Sequence, residues 1–448
     1  MKHVIPMLLA AASLTFAQAP GPIALRGARV VTVSGPVLEK GTVLLRNGLI
    51  EAVGENVDLP KDAWVVDAQG LTVYPGLIDA LSTVGLPETP AQPTTPRAET
   101  GAAPATPRGG QDLPVPLEQG PEFRPFTTTW VRAADLLNPA DKRIEETRSA
   151  GFSSVVTFPS TGIFAGEGAF LNLSGEKQGR MVVASPAGQY VTLTSHGFGT
   201  YPGSLMGVIA YIRQVSFDAD HYKLEMQAYT SRPAGRKRPN YDRAVEGLLE
   251  SPRLLLPAED AKQLDRMIRF AAELKRPAVL YGGHQAYKIA DQVAKSGVPL
   301  LINLKWPEKS KDADPDQEES FRTLELRDRA PSSPAALEKA GAHFAFYSGG
   351  TAAKDVRKAL KRAVDAGLTE AAAVRALTLS PAEIYGVADR VGSIEPGKIA
   401  NLLVVKGSLF DEKDKIQYIF IDGVKYEPVP ETPPPGERAG RGAPGGVE

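Results

Sequence analysis

With 448 residues, 42% of them hydrophobic and 23% charged, the chain has the make-up of one large globular domain with an appendage, or of two to three ordinary ones. A net charge of −1 excludes the broadly basic surface that nucleic acid or an anionic membrane would require. With no cysteine, disulfides, thiolate metal ligands and a cysteine nucleophile are excluded as well.

In chain order, Lys2 and His3 precede an apolar run from Val4 to Phe16 that is too short to cross a bilayer. Small residues follow it, so residues 1–17 are expected to be a signal peptide and the mature protein periplasmic or secreted, without a membrane span. Residues 18–73 read as short strands, with Asn47-Gly48 as a type I′ hairpin turn. The same texture returns in 392–430, with a second Asp-Gly turn at Asp422-Gly423. A small β-sandwich domain assembled from both termini is predicted.

Between these halves, residues 74–391 alternate short apolar strands with amphipathic helices. Strands are predicted at 152–158, 253–256, 278–281, 299–303 and 343–347, after a first strand that begins at Tyr74. Helices are predicted at 139–149, 203–226, 241–250, 258–274, 285–295, 334–340 and 351–366. This order implies an α/β fold, a (β/α)8 TIM-type barrel. Residues 87–116, rich in Pro, Thr, Ala and Gly, read as an inserted loop, either a lid or a solvated insertion. The tail 431–448 is expected to be disordered.

Pro75-Gly-Leu-Ile-Asp-Ala-Leu-Ser-Thr83 resembles the first barrel strand of the amidohydrolase superfamily, written P-G-[LF]-I-D-x-H-x-H. Gly151–Pro159, Gly162–Leu173 and His284–Pro299 are similar to segments of its imidazolonepropionase-like group, and Thr378–Lys398 to the passage from the last barrel helix into the β-domain. The resemblance implies a hydrolase of non-peptide or cyclic amide C–N bonds that uses zinc or another divalent metal. In the family, such a metal activates a water and polarises the scissile carbonyl. At the positions where the family places its ligands stand Leu81, Thr83, Pro257, Gly282 and Gly349, so no metal ligands and no bound cofactor are expected.

Candidates for the pocket are Thr83, Glu259, Tyr281, His284, Lys305, Tyr347 and Ser348, all at predicted strand ends. Asp79 reads as a structural hydrogen-bonder at the rim. Glu259 and Asp260 read either as site carboxylates or as acids at the N-terminus of the next helix. His196 is placed in a glycine-rich loop, His221 on a solvated helix face, and His343 at the barrel end away from chemistry. Two functions stand at this point. One is an exported amidohydrolase-like hydrolase. The other is a non-catalytic pseudoenzyme that binds a small polar ligand, or a homo- or hetero-oligomeric partner of an active paralogue.

Overall fold

The computed structural model describes residues 21–87, 124–175, 177–195, 200–310, 314, 318–411 and 414–428. The expected signal peptide, most of the inserted loop, His196 and the C-terminal tail lie outside them. Five strands open the described chain: β1 (Ile23–Val30), β2 (Leu38–Arg46), β3 (Leu49–Gly54), β4 (Trp64–Asp67) and β5 (Leu71–Pro75). Asn47 and Gly48 both take positive φ, 52° and 81°, as the type I′ turn between β2 and β3 requires.

The next ten strands build the middle of the chain: β6 (Leu77–Ser82), β7 (Phe152–Thr157), β8 (Phe164–Glu167), β9 (Ala169–Asn172), β10 (Val182–Ala184), β11 (Gln189–Val191), β12 (Leu254–Ala258), β13 (Ala278–Gly282), β14 (Leu300–Asn303) and β15 (Phe344–Tyr347). The last three are β16 (Leu402–Lys406), β17 (Lys415–Ile421) and β18 (Val424–Tyr426).

The two termini come together in one hydrogen-bonded sheet. Its order is β18-β17-β16-β5-β1-β2-β3, with β4 alongside β1. The reason is edge pairing. β16 lies antiparallel to β5 from Leu402 opposite Pro75 to Lys406 opposite Leu71, so the two halves are hydrogen-bonded edge to edge.

The middle of the chain forms two sheets, β10-β9-β7-β6 and β15-β14-β13-β12-β11-β8. The run from β11 to β15 is parallel, as is β6 with β7. The parallel pairing that a (β/α)8 barrel implies is interrupted at β8 and β9, which run antiparallel to β11 and β7. These two strands are consecutive in sequence, separated by Gly168, and each belongs to a different sheet. A Cβ at Gly168 would lie 2.2 Å from the Phe158 ring, so only glycine lets the chain pass so close to β7. At the opposite edges, Ser348 after β15 donates its N–H to Asp79 of β6 at 2.9 Å.

Strand alternation sorts the side chains onto two faces. Leu255, Val279, Tyr281, Leu301, Ala345 and Tyr347 pack into an inner cluster with Phe158 and Tyr385. Leu254, Leu256, Leu280, Leu300, Ile302 and Phe346 face the surrounding helices. The helix Ala261–Leu274 shows why those helices form. Asp260 caps it by accepting from Gln263 N at 2.9 Å, and Leu264, Met267, Ala271 and Leu274 bury one stripe. Among the described residues, no helix is long and apolar enough to cross a membrane.

Candidate functional site

The inner residues nearest the C-terminal ends of the strands surround a cavity of about 540 Å³. Asp79, Leu81, Ser82, Thr83, Phe158, Tyr190, Glu259, Tyr281, Asn303, Tyr347 and Ser348 all contribute to its wall. Parallel strands direct every other side chain inward, and the loops after them are free of ladder constraints. This end is therefore where chemistry collects in α/β barrels.

Asp79 lies at the floor, 2% exposed. Its Oδ1 accepts the Ser348 N–H at 2.9 Å and the Leu81 N–H at 3.4 Å. Burial pushes its carboxyl up to about 6, and the hydrogen bonds from Ser348 and Leu81 offset only part of that rise. Its role as a structural hydrogen-bonder is visible, but it also faces the cavity, which its place in the strand motif did not reveal. Glu259 follows β12 and presents its carboxylate beside Gly282. Burial, then the neighbouring Asp260, raises its pKa. The two acids thus separate: Asp260 is the helix cap and Glu259 belongs to the cavity.

The tyrosines form the walls. Tyr190 and Tyr281 stack with ring centroids 5.1 Å apart, and the Tyr281 hydroxyl donates to the Val191 carbonyl at 2.9 Å. Burial holds the hydroxyls of Tyr281 and Tyr347 well above the ordinary phenol range, so both stay protonated donors. Nearer the opening stands Arg143, with Nη2 2.7 Å from Asp141 and Nη1 3.4 Å from the Thr83 hydroxyl. The Thr351 hydroxyl is buried in the cavity wall without a hydrogen-bond partner.

Five of the seven residues expected in the pocket therefore meet there: Thr83, Glu259, Tyr281, Tyr347 and Ser348. His284 and Lys305 do not line it. The half-buried His284 ring leans on Trp306, and its Nε2 donates to the Asn303 carbonyl at 3.1 Å. The position two residues beyond β13 has already turned outward behind the strand ends, and burial lowers the imidazole pKa. Lys305 is exposed, because Asn303 Oδ1 accepts the Lys305 N–H at 2.8 Å and starts a turn that carries its side chain to the rim. His221 pairs with Glu225 on an exposed helix face, and His343 pairs with Glu383 before β15, at the other end of the strands. Tyr190, Asn303 and Arg143 were missed. β11 has only three residues, too short to show a period, and the other two act through tertiary contacts.

The family's metal can be tested against these residues. Among those described, no group of three or more His, Cys, Asp or Glu side chains could hold a metal ion. Two of the expected ligand positions are also filled. Gly349 takes φ +58°, and a Cβ there would sit 1.8 Å from Asn303 Oδ1. Gly282 takes φ +124°, and a Cβ would sit 2.9 Å from the Ala258 carbonyl oxygen. The donor set does not fit a divalent metal centre of the family's kind.

Fold and site together define an α/β protein with its cavity at the strand ends, and residues 275–426 match the Amidohydrolase family. That range holds Gly282 and Gly349 and leaves the first strand outside. The chain is similar to an amidohydrolase from Thermotoga maritima MSB8, with a TM-score of 0.72 and 26% identity, over 90% of this chain and 100% of that one. A prolidase complexed with N-methylphosphonate-L-proline shares the fold at a TM-score of 0.53 and 16% identity, over 91% of this chain and 99% of that one. A dihydroorotase of Geobacter sulfurreducens is 44% identical over 55 residues, 12% of this chain and only 13% of that protein.

Proposed function

We propose that the two sheets close as one amidohydrolase-type (β/α)8 barrel, in the manner of the imidazolonepropionase-like group, whose metal site has been replaced. In this reading the cavity binds a small, amide-bearing molecule through tyrosyl hydroxyls and carboxylates. The chain is exported to the periplasm or beyond by residues 1–17, and acts as a ligand-binding relative of hydrolases of non-peptide C–N bonds. The observation that carries this is the filled space at Gly282 and Gly349. There the family would place a histidine and an aspartate, and here backbone and Asn303 occupy the volume.

A second reading, metal-independent hydrolysis of the same class of bond, is favoured by Asp79. A carboxyl held at about 6 at the cavity floor exchanges its proton near neutral pH, as a general acid or base must. One experiment separates the two. The protein, dialysed against chelator, is offered simple and cyclic amides while binding and amine release are both followed. Binding without turnover is the expected result. Turnover abolished by Asp79→Asn but unaffected by chelator would favour the second reading, and turnover that chelator removes would contradict both.

A further inference from the structure

We infer that the ligand of this cavity carries a cationic nitrogen, an ammonium or guanidinium on a short stem, seated between the Asp79 and Glu259 carboxylates and the tyrosine rings. The inference rests on the reading of the cavity as a binding site for a small amide-bearing molecule, and narrows its chemical class.

The first observation is charge without a partner. Among the described residues, Asp79 is hydrogen-bonded by Ser348 and Leu81 alone, and the Glu259 carboxylate has no ion-pair partner. The cationic side chains near the cavity are engaged or peripheral. Arg143 is paired with Asp141 and bonded to the Leu86 carbonyl, and Lys305 is exposed beyond Gly350. Glu146, which also lines the cavity, adds a further acid on the opening side. The buried Asp79 carboxylate is costly to ionise unless a cation joins it, the Glu259 carboxylate stands open and unpaired at the same cavity, and the residues present do not fit a metal ion.

The second observation is the wall. Phe158, Tyr190, Tyr281 and Tyr347 line the same cavity, with Phe158 and Tyr190 ring centroids 5.9 Å apart and Tyr190 and Tyr281 stacked at 5.1 Å. Ring faces attract an organic cation through their quadrupoles while accepting its apolar stem, which a hydrated metal ion would not exploit.

The test is calorimetric titration of the full chain with three probes of similar length: 4-aminobutanamide, which is cationic; butanamide, which is neutral; and succinamate, which is anionic. The cation is expected to bind about tenfold or more tightly than butanamide, the scale of one desolvated cation–π contact. Glu259→Gln, which removes a charge that no other described side chain pairs with, is expected to erase most of that preference, so that the cationic and neutral probes bind the variant with similar affinity. Equal affinity for the neutral and cationic probes, or a preference for succinamate, would overturn the inference and leave the amide-binding reading standing. Binding of none of the three would overturn both.

Discussion

Replacing Gly282 with histidine, the residue type that the family resemblance implies at the end of this strand, is expected to destabilise the protein by about 4 kcal/mol and to create no metal site. Two independent costs add. A φ of +124° is backbone that L-residues rarely adopt, and the new Cβ would press on the Ala258 carbonyl at 2.9 Å, where neighbouring backbone cannot turn aside. Gly349→Asp should be milder, about 2 kcal/mol, because the obstacle is the Asn303 side chain and an aspartate tolerates the left-handed region. Asn303 can rotate away, at the cost of its hydrogen bond to Lys305 N. Urea unfolding of both variants measures the order. If Gly282→His proved no more harmful than Gly349→Asp, the steric account of the missing metal site would fail.

Asp79 should give the protein a pH dependence that Asn at the same position lacks. Its folded pKa, about 6, lies above the unfolded value near 3.8, so between those values the native state holds more protons than the unfolded one. Stability from this group is fully present below about pH 4 and is lost as pH rises through 6, by about 3 kcal/mol in all. The stability difference between Asp79→Asn and the natural protein should therefore move in favour of the variant by about that amount between pH 4 and pH 7. Parallel pH profiles of the two proteins would mean that Asp79 ionises freely and is not a buried cavity acid.

Much of this architecture is legible in the chain. The strands at 254–258, 278–282, 300–303 and 344–347 announce themselves as apolar runs bounded by proline and glycine, and Asn47-Gly48 and Asp422-Gly423 fix two hairpins through positive φ. Five of the expected residues line one cavity because strand ends of one sheet converge there. What remained hidden depends on pairing partners distant in sequence. The antiparallel course of β8 and β9 shows only in their pairing with β11 and β7, and nothing in a linear pattern specifies it. The edge-to-edge joining of β5 and β16 likewise needs partners more than three hundred residues apart. Asp79 shows the same limit in the site: its motif marks it as a hydrogen-bonder, while its exposure to the cavity depends on Ser348 arriving from the last strand.

The proposed reading, a cavity that works without a divalent metal, is checked by metal analysis. The natural protein would be expressed with zinc and manganese in the medium, purified without chelator, and its metal content measured per chain. Well under a tenth of an equivalent of any divalent transition metal is the expected result, about the level left by adventitious surface binding. One equivalent or more of zinc, manganese or iron, retained through gel filtration, would contradict it.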